Sequence, residues 1–396
     1  MKAKDSVKNY DSKIREYTNY SYRQAKNACK NYGPRPAGSD KEKELQEHLM
    51  NELRGCTNAV TSENFNFIKS TAFSENIFTL ILIVIATAIT ILCCLNMTGG
   101  NDTIFAMVVA VLVLFGGINI FTGFTNKMFA KKASSANIHA VRKADEKAEK
   151  RLILIANSDS LEKRKFNTSV FAVISAIGFV FNLIVVFLDS YLKLFANFPS
   201  LKYASFALVI FIPFAIIPLF ADSDEYSEGA SKNLSGAFAS IAVLKYLKDN
   251  EIRMPSLEIC VVITSAHTND TAGARAFANR HASYYSDIPT TCICIDSIAF
   301  DEKNLGIIKA KNSQTSYDFL KAGAADAAVE IIDSPLQGKY SPDSTFISTM
   351  GIDACAITSL PLNYAKQPDT FEDMKVKTIE SALKTVVSGA FLFEEK

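Results

Sequence analysis

Four stretches of the chain, 77–97, 104–124, 168–188 and 204–220, run for about the thickness of a bilayer without one charged side chain. Nothing else in the sequence limits the fold as strongly. In hydrocarbon every backbone N–H and C=O must be satisfied internally, so such stretches cross as helices. A buried core helix is the competing reading for any one of them, and four of this length argue against it. The first two are separated by the turn-like Asn96-Met97-Thr98-Gly99-Gly100-Asn101-Asp102, the last two by residues 189–202 with Pro199. They therefore read as two helical hairpins. Their interiors hold no Asp, Glu, Lys, Arg or His, and only Asn182, Pro213 and Pro218 stand out. Proton relays and ion paths carry ionisable groups, so a secondary transporter is disfavoured.

Orientation follows from the basic flanks. Lys127, Lys131 and Lys132 follow the second stretch, and Lys163, Arg164 and Lys165 precede the third. The 97–103 connection has no basic residue, and 189–202 has only Lys193 and Lys202. This bias puts both termini and the middle segment in the cytoplasm. Polar, charged 1–76 lacks the apolar core of a signal peptide. The expectation is a multi-pass protein of the cell membrane, organised as 1–76, a hairpin at 77–124, 125–166, a hairpin at 167–221, and 222–396. An even number of crossings lets the three polar parts assemble into one cytoplasmic domain.

Those polar parts read as α/β. Ser39 with Glu42 is a capping-box signature for a helix running to about Leu53. Short apolar or β-branched runs fall at 137–142, 151–156, 257–264, 290–298 and 354–358, several without polar alternation, as in strands buried on both faces. Helical patterns at 230–248, 272–285, 316–332 and 371–393 lie between or after them. Strands alternating with helices predict a mainly parallel sheet covered on both sides. Sites in such sheets lie beyond the strand C-termini, which points to 157–159, 264–270 and Asp296. With 42 Lys and Arg against 41 Asp and Glu, the chain is no basic nucleic-acid binder. Its eight cysteines include no C-x-x-C pair and read as buried free thiols in a reducing compartment. Only four histidines, His48, His139, His267 and His281, are available to any metal site.

Several motifs carry a resemblance. Gly33-Pro34-Arg35-Pro36-Ala37-Gly38-Ser39 is similar to the G-x-R-x-A-G-S motif of the di-zinc aminopeptidase family. Residues 137–140 and 152–160 resemble that family's N-V-I-A strand and G-H-x-D-S turn. Segment 228–236 resembles the G-A-x-D-N-x-S-G helix start, and 264–277 the A-E-E-x-G-x-x-G-S-x-x-F crossing. The strand ending in a ligand Asp corresponds to 291–296, the S-D-x-x-x-F-x-x-x-G-I-P-A segment to 340–354, and the closing H-x-x-x-D-T-x-E to 363–372. A membrane-embedded branch of the family similarly carries apolar hairpins between its early strands.

The resemblance implies a three-layer aminopeptidase-like domain and metal-assisted peptide hydrolysis, in which two zinc ions about 3.5 Å apart activate a water. Two His, two Asp and a Glu supply the ligands, and a second Glu is the base. At the first His position this chain has Asn157, with the supporting Asp kept as Asp159. The bridging Asp position holds Lys232, the Glu-Glu pair is His267 and Thr268, and the final His aligns with Ala365. Asp296 is the one retained ligand-type residue, and Asp369 and Thr370 persist. With the base and most ligands missing, the expectation is a pseudo-peptidase serving as a binding or scaffold module, with no catalytic residues and no resident cofactor. Membrane lipids, and either peptide termini or a protein, are its expected partners. Lys232 is expected either to replace the metal between Asp159 and Asp296 or to point to solvent. The alternative is an active metallo-aminopeptidase that binds zinc at a shifted site, with His267, Asp270 and Asp296. His48, His139 and His281 are expected to be ordinary core or surface histidines. No G-x-S-x-G elbow supports a covalent mechanism.

Overall fold

A computed structural model describes residues 2–125, 128–195, 201–301, 303–364 and 368–395. Lys127, Pro199 and Ala365 lie outside them. The chain forms two units, one from Met1–Phe67, Ala133–Glu162 and Tyr226–Lys396, the other from Ile68–Lys132 and Lys163–Glu225.

Ten strands occur among the described residues, in chain order β1 (Ala59–Lys69), β2 (Lys131–Arg142), β3 (Lys150–Asn157), β4 (Glu162–Arg164), β5 (Asp222–Tyr226), β6 (Leu257–Thr264), β7 (Thr290–Ile295), β8 (Leu305–Lys309), β9 (Ile331–Asp333) and β10 (Asp353–Thr358). Eight of them make one sheet in the order β1-β2-β6-β3-β7-β10-β8-β9. β3 runs parallel to β6 and β7, β7 to β10, and β8 to β9, whereas β2 is antiparallel to β6 and β8 to β10. The sheet is thus mixed and mostly parallel. Its central strands are buried on both faces, which is why they carry apolar runs without alternation. Leu152 and Leu154 face a core shared with the helices Tyr10–Tyr32, Ser235–Asp249 and Val376–Glu395, while Ile153 and Ile155 face one shared with Ala272–His281 and Asp343–Thr349. Helices on both faces make three layers, the expected α/β class.

Local departures have local causes. β1 was not foreseen because its Ser, Glu and Asn residues interrupt the apolar signal. Residues 331–332, read as a helix end, instead form β9, since the helix Gln314–Ala327 is closed by Ala328 in a left-handed conformation (φ 54°). Ser39 does cap the helix Asp40–Arg54, accepting from the Glu42 N–H at 3.1 Å, but the Glu42 carboxylate takes the Gly38 N–H (2.6 Å) rather than completing the box.

In the second unit four helical segments, Ala72–Cys94, Asp102–Thr122, Ser169–Phe195 and Lys202–Phe220, are long and apolar enough to cross a membrane. The third runs past Leu188 to take in Asp189 and Lys193, which pair at 2.7 Å one helical turn apart. The fourth alternates between α and 3-10 turns, as expected where Pro213 and Pro218 remove backbone donors. The side chain of Asn182 is buried and donates to Thr87 Oγ1 (3.2 Å) and Gly178 O (2.9 Å). All eight cysteines are free and buried.

Candidate functional site

β6, β3 and β7 end side by side, and the chain leaving each carries polar groups into one cleft. The paired ends are locked by Asn157 opposite Thr264 and by the Ser158 N–H donating to Thr264 O at 2.9 Å. Immediately beyond, Ala266 (φ 54°) and Ser297 (φ 58°) adopt left-handed conformations that cost a non-glycine residue energy. Such strain gathers at functional sites. The helix Ala272–His281 then packs so tightly on the end of β6 that a Cβ on Gly273 would lie 2.3 Å from Ser265 O.

The side chains form two linked pairs. His267 Nδ1 lies 2.7 Å from Asp343 Oδ1, and Thr264 Oγ1 donates to Asp343 Oδ2 at 2.6 Å. The Tyr340 hydroxyl donates to Asp296 Oδ2 (2.7 Å), with its oxygen 3.5 Å from His267 Nε2, while Ser297 Oγ donates to Asp296 Oδ1 (2.6 Å). Asp159 is fully buried. Asn233 Nδ2 donates weakly to its Oδ1 at 3.5 Å, and its Oδ2 has no hydrogen-bond partner among the described residues. Behind them sits Glu42, which accepts from Gly38 N, Ser135 Oγ (2.7 Å) and Ser265 Oγ. Arg35 is wholly buried and holds its turn by donating to Glu228 O (2.6 Å), Ser158 O (3.4 Å) and Gly33 O.

The electrostatics follow from burial. Burial opposes a charge on His267, but the charge and hydrogen bond of Asp343, with Asp296 and Asp159 behind, outweigh it and push the imidazole up to about 9. Burial, then the neighbouring Glu42, pushes the Asp159 carboxyl up to about 7. Asp296 is also raised by burial, against the pull of His267. At neutral pH the cleft therefore holds an imidazolium among carboxylates.

The expected positions meet different fates. Asn157, Asp159, His267 and Asp296 converge, Asn157 by its Oδ1 at 2.6 Å from Thr264 Oγ1. Thr268 is exposed. Among the described residues, Lys232 makes no salt bridge with Asp159 or Asp296. Its N–H donates to Asp369 (3.1 Å) and its ammonium lies 5.9 Å from the centre of the Phe300 ring. The reason is the wide π-type turn Ala230–Leu234, whose N–H groups at Ser231 and Lys232 are capped by Asp369. His267 is the cation that faces the two carboxylates. Asp270, in the shifted-site alternative, is exposed and pairs with Arg275 (2.8 Å) instead. Two residues of the candidate site are not reached from the sequence, Asp343 and Tyr340. Both lie in the 340–354 segment already singled out, and an acid beside a hydroxyl there was the available signal.

These atoms do not fit a di-zinc centre as arranged. Both oxygens of Asp296 and of Asp343, and both nitrogens of His267, face other side chains. Among the described residues, the ligand-type group whose donor atoms gather within 4.8 Å of one another is Glu63, His139 and His281, none of them in the cleft. No Ser or Cys stands against His267 as a nucleophile among the described residues. What the cleft offers is a paired imidazolium, a phenol and three buried acids.

Solved structures with this architecture include aminopeptidases and glutaminyl cyclases. They include an aminopeptidase from Aneurinibacillus sp. strain AM-1 (TM-score 0.58, 12% identity, covering 96% of this chain and 95% of that one). A Zn-dependent exopeptidase from Parabacteroides distasonis is similar (TM-score 0.53, 12% identity, 94% and 97% covered), as is a glutaminyl cyclase from Bacteroides thetaiotaomicron bound to N-acetylhistamine (TM-score 0.53, 13% identity, 94% and 97% covered). The fold is therefore aminopeptidase-like. Residues 220–389 match the model of Peptidase family M28. No curated protein sequence matches it.

Proposed function

We propose that the chain is a membrane-anchored pseudo-peptidase, an aminopeptidase-like domain on the cytoplasmic side whose cleft binds peptide termini without cutting them. The observation that supports this is the His267–Asp343 pair. An imidazolium that stays charged to about pH 9 has no free lone pair with which to activate water, and its charge opposes a dication. Asp159 Oδ2, which has no hydrogen-bond partner among the described residues, and the second lone pairs of the Asp296 oxygens are the acceptors for an α-ammonium group.

Purified full-length protein, given chromogenic aminoacyl substrates with added zinc or cobalt, is expected to show no turnover above buffer. Calorimetry with short peptides is expected to register binding that Asp296→Asn weakens about tenfold, the scale of one charge-assisted hydrogen bond. Chelator-sensitive turnover lost in Asp296→Asn would overturn the proposal. It would establish the second reading, a zinc aminopeptidase with a shifted site, which draws on the convergence of Asp159, Asp296, Asp343 and His267.

A further inference from the structure

We propose that Glu63, His139 and His281 form a binding site for one divalent transition-metal ion of the zinc class, sharing no residue with the cleft. The three come from separate elements, β1, β2 and the last position of the helix Ala272–His281, and their donor atoms lie within 4.8 Å of one another. Glu63 Oε1 is 2.7 Å from His281 Nε2 and 3.6 Å from His139 Nδ1. A tetrahedral zinc holds nitrogen and oxygen ligands about 2.1 Å away, hence about 3.4 Å from each other. The observed separations bracket that spacing, so small side-chain rotations admit the ion. Two imidazoles and a carboxylate, with a fourth position left for water, are the donor set zinc takes.

The surroundings orient the ligands. His139 Nε2 lies 2.7 Å from the Tyr285 hydroxyl, which has the Cys260 thiol as a second partner. In the tautomer whose Nε2–H donates to that hydroxyl, Nδ1 keeps the lone pair that an ion beside Glu63 needs. Such an outer partner fixes the tautomer of a metal-binding histidine. Phe277 walls the group, its ring 5.6 Å from that of His139 and 4.9 Å from that of His281. The side chains are nearly buried, at 11%, 10% and 18% exposure for Glu63, His139 and His281. Arg280 takes the other carboxylate oxygen, Oε2, at 3.3 Å, and leaves Oε1 to the ion. Half exposed, the arginine keeps its charge screened by water.

The test uses full-length protein in detergent, stripped with chelator and dialysed against zinc, with the metal counted by mass spectrometry. One equivalent is expected in the parent and in the cleft variant His267→Gln, and at least tenfold weaker binding in His281→Gln and Glu63→Gln. Cobalt in place of zinc should give the intense visible bands of a four-coordinate ion in the parent and lose them in Glu63→Gln. Zinc should raise the Tm of the parent and not that of His281→Gln, whose own fold is checked by its metal-free melt. A parent that takes up no zinc, or a His281→Gln variant that binds it as tightly as the parent, would overturn the site. Zinc bound here without aminoacyl turnover leaves the pseudo-peptidase proposal standing, so the two fail separately.

Discussion

His267 and Asp343 decide the chemistry of the cleft, and their partnership is testable by pH. The imidazole is raised from 6.5 to about 9 in the folded chain. Its pair with Asp343 therefore stabilises the fold fully below about pH 6.5, and that stability is lost as pH rises through about 9. The full shift corresponds to about 3 kcal/mol. Asp343→Asn should lower the Tm well below the parent's at pH 6, with the gap narrowing towards pH 10, in melts recorded across that range. A gap that stays constant would mean that the pair carries no such linkage. This part of the site was only half legible in the sequence. Asn157, Asp159, His267 and Asp296 sit at strand ends, where strand periodicity alone points. Asp343 joins His267 across 76 residues, and no local pattern encodes a contact of that span. Lys232 stays open in the sequence because the wide turn that carries it is capped by Asp369, which is 137 residues away.

At the scale of elements, the best-read pieces are those whose burial is extreme. The central strands were legible because sheets covered on both faces leave continuous apolar runs, and the four apolar helices because lipid-length stretches have few alternatives. Edge strands lack that signal: β1 is exposed along much of its length and polar, and β9 is three residues long. The crossing from β6 into the helix Ala272–His281 is where tertiary packing sets the residue. Gly273→Ala would put a methyl 2.3 Å from Ser265 O and 2.7 Å from Asn137 Oδ1, so backbone must move. Overpacking of this kind costs about 1–3 kcal/mol. The measurement is the denaturant midpoint of the variant, expected to fall together with any peptide affinity, since the displaced loop carries His267.

Across the whole molecule, the basic flanks of the apolar helices predict which side the polar parts face, and the buried cysteines make that prediction easy to check. Every native thiol is buried, so one added at an exposed position reports alone. Met97→Cys, at the turn after the first apolar helix, should react with a membrane-impermeant maleimide on intact cells, and Lys147→Cys only after permeabilisation. The reverse pattern would invert the topology.

The strand order also sets a timetable for synthesis. β3 leaves the ribosome before the third and fourth apolar helices, yet its sheet neighbours are β6 and β7, made after them. Until residue 264 emerges, Leu152–Ala156 is an unpaired apolar edge, the kind of surface that draws in other chains. The sheet therefore cannot close one strand at a time behind the growing chain. It must wait until the last of the four apolar helices has been made, and a nascent protein stalled before that point exposes the surface that chaperones and proteases act on.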